Sequence, residues 1–274
     1  MPFSLRRAAL ALTAAVAALV PAITSSSAPA ASAASAPITG VDISWPECPQ
    51  VMNRLKQPVK PMPVNGTRMV VLGLTSGPPL TANPCLGSQL AWAKAHHVYT
   101  AAYAVTNPPL PAQVKQYALA GPYRSKDWRN PLWNFGWAQA QFNVNTMRRI
   151  GLSTPTVWID VEFYQKTPWS SNRAANVAVF NGALNAYRAA GYHVGVYSTG
   201  YQWRSIFGNA RYNLPEWHTT GTSSLNTALR ECGGASFQGG RPVLSQWWNS
   251  TKDYDVVCPS YASNASLAYY FKKF

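Results

Sequence analysis

The chain has 274 residues, of which 47% are hydrophobic, and a formal net charge of +14. This length and apolar content favour one large domain with a full core over two small domains. The positive charge is spread along the chain and no recognised nucleic-acid motif is present, so nucleic acid is not expected as a partner. Such a field attracts anionic polymers outside the cell, including wall polymers, although a need for solubility explains the charge equally well.

The amino terminus has the pattern of an export signal. Arg6 and Arg7 precede the apolar run 8–20, which is too short to span a bilayer comfortably, and small-residue cleavage patterns follow it. We therefore predict a signal peptide and a low-complexity spacer over residues 1–36, and a mature domain over residues 37–274. This domain is expected to be secreted, either extracellular or associated with the cell wall, as a monomer without membrane insertion.

Eight short segments rich in β-branched or aromatic residues, bounded by Gly, Pro, Asn or Ser, are predicted strands. They cover residues 38–44, 69–74, 98–105, 156–162, 193–198, 214–219, 243–248 and 254–257. Helical periods lie at 86–97, 131–151 and 170–191. Five strand-helix units followed by three strands favour a single α/β barrel of the TIM type. An open doubly wound sheet is the alternative, although no G-x-G-x-x-G follows the first strand.

Four cysteines in an exported chain favour two disulfides, for which three pairings exist. Cys48 with Cys85 and Cys232 with Cys258 are the favoured pairs, because each pair follows neighbouring predicted strands. The competing interpretation is a zinc site, which no C-x-x-C or paired His/Cys spacing supports. We therefore expect neither a metal nor a cofactor.

Two carboxylates, Asp160 and Glu162, stand in the apolar run TPTVWIDVEFY of a chain with only 9 acidic residues. Side chains alternate along a strand, so both acids share the face of Trp158 and point into the predicted barrel. They lie at the carboxyl end of their strand, where such barrels form active sites. Mutual repulsion and burial should raise the pKa of at least one of them, which suits a general acid. The alternatives are a solvated strand end and an all-oxygen metal site.

Further acids are predicted at the same end of the barrel. Asp42 lies in GVDISWPECP of the first strand, and KDYDVVC of the last strand contains Asp253 and Asp255. Asp255 is the favoured candidate of these two, because it lies nearer the apolar part of its strand. The scarce acids of this chain are therefore predicted to gather at one end of the barrel.

Several motifs, taken in order, resemble glycoside hydrolase family 25, the lysozyme-like N-acetylmuramidases of bacteria and their phages. GVDIS is similar to the first strand of the family and PTVWIDVE to the strand with its D-x-E signature. YHVGVYSTGYQW is similar to the next strand, and LSQWW to a late strand with a Gln beside aromatic residues. The similarity spans residues 39–257. It implies a barrel of five strand-helix units closed by three strands, and cleavage of the β-1,4 N-acetylmuramoyl linkage of peptidoglycan.

The resemblance also implies roles for individual residues. Glu162 would protonate the glycosidic oxygen, and Asp160 would stabilise the reacting sugar directly or by orienting its N-acetyl group. The implied substrate contacts are Asp42 and Asp255 on the cleft floor, with Tyr197 and Gln246 in the subsites.

Tryptophan rings near the ends of strands can stack on sugar faces, although most aromatic residues of a barrel pack in its core. The tryptophans near predicted strand ends are Trp45, Trp203, Trp247 and Trp248. Trp247 adjoins Gln246 and is included in the predicted substrate site.

The loops of the chain depart from the family pattern. LTSGPP after the second strand lacks an acid that is usual there, and SWPECP differs from the usual continuation of the first strand. The stretch between Gln246 and Asp255 is also short. A catalytically inactive protein that binds wall glycan on the same scaffold is therefore the alternative function.

Overall fold

Eight strands close into a barrel in the computed structural model, which describes residues 36–164 and 168–274. The strands are β1 (Thr39–Ile43), β2 (Met69–Gly73), β3 (Tyr99–Val105), β4 (Thr156–Asp160), β5 (His193–Tyr197), β6 (Glu216–Thr222), β7 (Pro242–Trp248) and β8 (Asp253–Val257). Each strand pairs with its neighbours in sequence, and β1 pairs with both β2 and β8. The predicted α/β barrel is confirmed. The predicted export signal and its spacer, up to residue 35, lie outside the described residues.

The last strand runs against the direction of the others. Strands β1 to β7 run parallel to one another, whereas β8 is antiparallel to both β7 and β1. The amino end of β8 therefore meets the carboxyl ends of the other seven strands. This direction decides which acid of KDYDVVC reaches the functional end of the barrel.

Helices surround the barrel. They are α1 (Pro49–Leu55), α2 (Leu86–Ala95), α3 (Pro111–Gln116), α4 (Asn130–Ile150), α5 (Arg173–Ala189), α6 (Gly200–Phe207), α7 (Leu225–Glu231) and α8 (Asn264–Tyr270). Helix α5 begins where the Asn172 side chain accepts a hydrogen bond from the Ala174 amide, and α4 ends at Gly151 with a left-handed φ of 73°. The short helix α7 follows β6, so the strand-helix alternation continues one unit beyond the five predicted.

The alternation of side chains along β4 divides the core into two layers. Val157 and Ile159 point outward and pack with the surrounding helices. Trp158 points inward, where it is fully buried with Trp217, and its ring stacks against Tyr270 at 6.1 Å between centroids. Large aromatic residues therefore fill the barrel interior below the carboxyl ends of the parallel strands, and the acids at those ends lie directly above this packed layer.

Two disulfides join the predicted cysteine pairs. Cys48–Cys85 ties the segment after β1 to the start of α2, and Cys232–Cys258 ties the end of α7 to the end of β8. In the described ranges, no helix combines the length and the apolar character that crossing a membrane requires.

Candidate active site

A cavity of about 330 Å³ opens at the carboxyl ends of the parallel strands. Its walls combine carboxylates with aromatic rings. The lining includes Asp42, Trp45, Glu47, Asp160, Glu162, Tyr164, Tyr197, Gln246, Trp248 and Asp253. Five of the predicted residues, Asp42, Asp160, Glu162, Tyr197 and Gln246, thus meet in one cleft.

Asp160 and Glu162 occupy different depths of this cleft. Asp160 is the last residue of β4 and is 4% exposed. The Val161 amide donates to the Tyr197 carbonyl over 3.0 Å, so the pairing with β5 continues for one residue. Glu162 follows at the rim and is half-buried. The pair therefore presents one deep and one accessible carboxyl group on the same side of the barrel.

Burial raises the pKa of both carboxyl groups. For Asp160 the charges of Glu162 and Asp42 add to the effect of burial, and the pKa lies well above its ordinary value. For Glu162 the charge of Asp253 adds to burial, while the Tyr197 hydroxyl opposes the shift. The Asp160 Oδ1 atom is buried without a hydrogen-bond partner among the described residues, which makes its ionisation costly. Glu162, the accessible member, can thus carry a proton at higher pH than an ordinary glutamate.

A chain of hydrogen bonds fixes the cleft floor across three strands. The Tyr197 hydroxyl donates to Gln246 Oε1 over 2.9 Å, and Gln246 Nε2 donates to Asp42 Oδ2 over 2.8 Å. Burial and the Asp253 charge raise the pKa of Asp42, and the bond from Gln246 opposes this shift. The network holds three of the predicted contacts in fixed orientation.

The last strand contributes Asp253 to the cavity and buries Asp255 beneath it. Asp255 has no exposed surface, and its Oδ1 atom accepts a hydrogen bond of 2.8 Å from Trp217 Nε1. The prediction favoured Asp255 because it lies nearer the apolar part of the strand. Since β8 is antiparallel, that apolar part is the lower barrel and Asp253 is the residue at the open end. The structure therefore places Asp255 as a buried support of the floor.

The four candidate tryptophans divide between the cleft and the interior. Trp45 and Trp248 line the cavity. Trp247 is absent from its lining and stacks on Tyr254 at 5.3 Å between centroids. Trp203 is fully buried beside Phe180 in the helical layer. Neighbouring residues of a strand face opposite sides, so only one of Trp247 and Trp248 can face the cleft, and it is Trp248.

Glu47 is a cleft residue that the sequence analysis missed. It is 7% exposed, and its Oε2 atom accepts a hydrogen bond of 2.8 Å from the Ser44 amide. Burial raises its pKa, and the Ser44 amide opposes this shift. The spacing S-x-x-E of Ser44 and Glu47 matches a capping box and was the signal that could have placed it. In residues 36–164 and 168–274, no group of His, Cys, Asp and Glu side chains has the arrangement of a metal site.

Parts of the chain are similar in sequence to known lysozymes. A family model described as Lysozyme-like protein 1 matches residues 133–228. A probable GH family 25 lysozyme 4 of Dictyostelium discoideum is 35% identical over 77 residues, which cover 27% of this chain and 35% of that protein. A probable GH family 25 lysozyme 2 of the same organism is 29% identical over 135 residues, which cover 49% and 58%. The chain thus spans less than two thirds of the length of these relatives.

A solved structure shares the fold at much lower sequence identity. The family 25 glycosyl hydrolase from Bacillus anthracis superposes with a TM-score of 0.53 at 14% identity, covering 86% of this chain and 94% of that one. The family-model match includes β4 with Asp160 and the residues after it with Glu162. The chain is thus similar in sequence to family 25 lysozymes over parts of its length, and it shares the barrel fold of the solved glycosyl hydrolase.

Proposed function

We propose that the chain is a secreted glycoside hydrolase that cleaves the β-1,4 N-acetylmuramoyl linkage of peptidoglycan. The observation that carries the proposal is the pair of adjacent inward acids, Asp160 and Glu162, at the open end of the barrel. The names of the relatives, which are lysozymes, support a wall glycan as the substrate. The two disulfides are typical of exported proteins and support secretion after removal of residues 1–36.

In the proposed reaction, Glu162 donates its proton to the glycosidic oxygen while the bond from that oxygen to the anomeric carbon breaks. Asp160, reacting in its ionised form, stabilises the positive charge that develops on the sugar ring, either directly or by orienting the N-acetyl group. Water then attacks the anomeric carbon and gives its proton to the Glu162 carboxylate. The raised pKa of Glu162 suits the first step, and its loss of that proton prepares the second.

The shape of the cleft suits a sugar. Trp45 and Trp248 offer flat rings on its walls, while Asp42 and Gln246 offer polar groups on its floor. Pyranose rings present an apolar face that packs on aromatic rings and hydroxyl groups at the edge that bind polar side chains. These contacts would hold a glycan strand across the acid pair.

The test is the release of reducing ends from purified peptidoglycan by the mature protein. Glu162→Gln and Asp160→Asn should lose activity by a factor of 100 or more, since a general acid contributes about 10² to 10⁴ in rate. Glu231→Gln is a matched control, because Glu231 binds His218 away from the cleft. A folded wild-type protein that sediments with cell walls but releases no reducing ends at any pH would contradict the enzyme and leave the glycan-binding alternative.

A further inference from the structure

A proline-rich segment between α1 and β2 carries one cation to the edge of the cleft. The Lys60 amide donates to the Pro46 carbonyl over 2.9 Å, beside the cleft-lining Trp45 and Glu47. Its ammonium group lies 2.9 Å from Asp253 Oδ2. On the other side of the segment, Lys252 Nζ donates to the Met62 carbonyl over 3.1 Å. The segment is thus fastened both to the turn after β1 and to the hairpin of β7 and β8.

The surroundings of Lys60 are otherwise acidic. The carboxyl groups that line the cavity are Asp42, Glu47, Asp160, Glu162 and Asp253, and Asp255 lies beneath its floor. Among the described residues, the other basic side chains with a carboxylate within 4.0 Å are Arg129 and His218, and their partners Asp127, Glu216 and Glu231 lie outside the cavity lining, whereas Asp253 is part of it. Lys60 is therefore the counter-ion of the cleft within the described part of the chain.

The proposed hydrolysis makes opposite demands on these acids. Glu162 must hold a proton, while at least one neighbouring carboxylate must be ionised to face the positive transition state. In a cluster of acids without a cation, each negative charge raises the pKa of its neighbours, so these neighbours hold protons at a higher pH than isolated carboxyl groups do. A single cation at the rim can satisfy both requirements, because it favours ionisation of the carboxylates nearest to it and leaves a more distant acid protonated.

We propose that Lys60 is a positioning residue: its backbone is held by the Pro46 carbonyl and its ammonium group by Asp253, and its charge favours the ionised form of carboxylates of the cleft wall and floor while Glu162 still carries its proton. This inference rests on the proposed function. The Lys60 charge opposes the rise in the pKa of Asp42 and of Glu47, whereas the shift of Glu162 arises from burial and Asp253. The cation thus acts on the carboxylates of the cleft without favouring loss of the proton from the acid.

The test compares the pH dependence of glycan hydrolysis for Lys60→Met, Lys60→Arg and Lys252→Met. Lys60→Met should move the acid limb of the profile to higher pH by about half a unit and leave the basic limb in place, since a half-exposed cation acts through partly screened charge. Lys60→Arg should restore the wild-type profile. Lys252→Met also removes one positive charge and a contact to the same segment, but among the described residues Lys252 binds a carbonyl group and no carboxylate. Both limbs of the pH profile of this variant should therefore stay in place.

An unchanged acid limb in Lys60→Met would overturn the inference, and so would an equal movement of that limb in Lys252→Met. Carbon-13 NMR titration of the side-chain carboxyl groups provides a readout that does not need turnover. In Lys60→Met the Asp42 or Glu47 carboxyl should titrate at higher pH than in the wild type. If the wild type is inactive but the carboxyl pKa rises in Lys60→Met, the proposed hydrolase is rejected and the effect of Lys60 on the carboxylates is retained. If the wild type is active but no carboxyl pKa rises in Lys60→Met, the role of Lys60 is rejected and the hydrolase is retained.

Discussion

Gln246 and Asp42 lie 204 positions apart in the chain and are joined by a hydrogen bond of 2.8 Å in the cleft floor. Their strands, β7 and β1, are brought together because both pair with β8. Gln246 Oε1 also accepts a hydrogen bond from the hydroxyl group of Tyr197 on β5. One amide therefore connects three strands at the point where the substrate is proposed to bind.

Replacing Gln246 with Met should leave Asp42 and Tyr197 without these partners. We expect kcat/KM on peptidoglycan to fall about 10- to 100-fold, because an unsatisfied buried polar group costs about 1–3 kcal/mol. Tyr197→Phe should add less to Gln246→Met than it costs alone, since both act on one network. Reducing-end assays of the two single variants and the double variant measure this coupling, and simple additivity would contradict the network.

Replacing Asp253 with Asn should move the basic limb of the pH profile to lower pH. Glu162 must be protonated to act, so activity falls as the pH rises through its pKa, which burial and the Asp253 charge raise. Removing that charge should shift the limb by about half a unit. Asp127→Asn is the control, because Asp127 pairs with Arg129 outside the cavity lining. A basic limb that stays in place in Asp253→Asn would contradict the link between these two acids.

Replacing Asp255 with Asn should stabilise the fold at neutral pH. Burial and the Asp42 charge raise the pKa of Asp255, so the native state disfavours its ionised form and gains stability as the pH falls. Asparagine keeps an acceptor for Trp217 without the charge. Urea unfolding at pH 7 should show a gain of about 1 kcal/mol or more, and this gain should be smaller at pH 5, because protonation of the wild-type carboxyl group increases as the pH falls. A loss of stability at both pH values would contradict this account.

Replacing His218 with Gln should flatten the pH dependence of stability. His218 is buried and lies 2.7 Å from Glu216 and 2.8 Å from Glu231. Burial opposes the charged ring, but the two carboxylates outweigh it and raise the His218 pKa above 6.5, while hydrogen bonds lower that of Glu216 despite its burial. The histidine contribution is present below pH 6.5 and is lost as the pH rises through the raised pKa. The glutamate contribution is present above pH 4.5 and is lost as the pH falls through the lowered one.

The His218 variant should therefore be less stable by about 1.5–3 kcal/mol near pH 6, and by less at pH 9. Denaturant unfolding across this range measures the difference. His96→Gln, a change at an exposed histidine, is the control and should follow the wild type. A constant difference between His218→Gln and the wild type at all pH values would show that the ring contributes packing alone.

The sequence by itself determined the strands, their faces and the acid pair. Hydrophobic alternation has a period of two, so the positions of Trp158, Asp160 and Glu162 on one face follow from local spacing alone. The disulfide pairs also followed, because each joins segments beside neighbouring strands. These features depend on residues close together in the chain, or on the order in which neighbouring strands pair.

Only the tertiary structure decided which other residues face the cleft. Because β8 is antiparallel, Asp253 and not Asp255 lies at the open end of the barrel, and the motif KDYDVVC alone does not indicate the direction of its strand. Lys60 reaches the cleft through an ion pair spanning 193 positions. A side chain's alternation along its own strand is a local property, whereas its depth and its partner depend on how the barrel closes. Barrel closure depends on contacts between segments that are distant in the chain, so a single sequence motif cannot predict the depth or the partner of a side chain in the cleft.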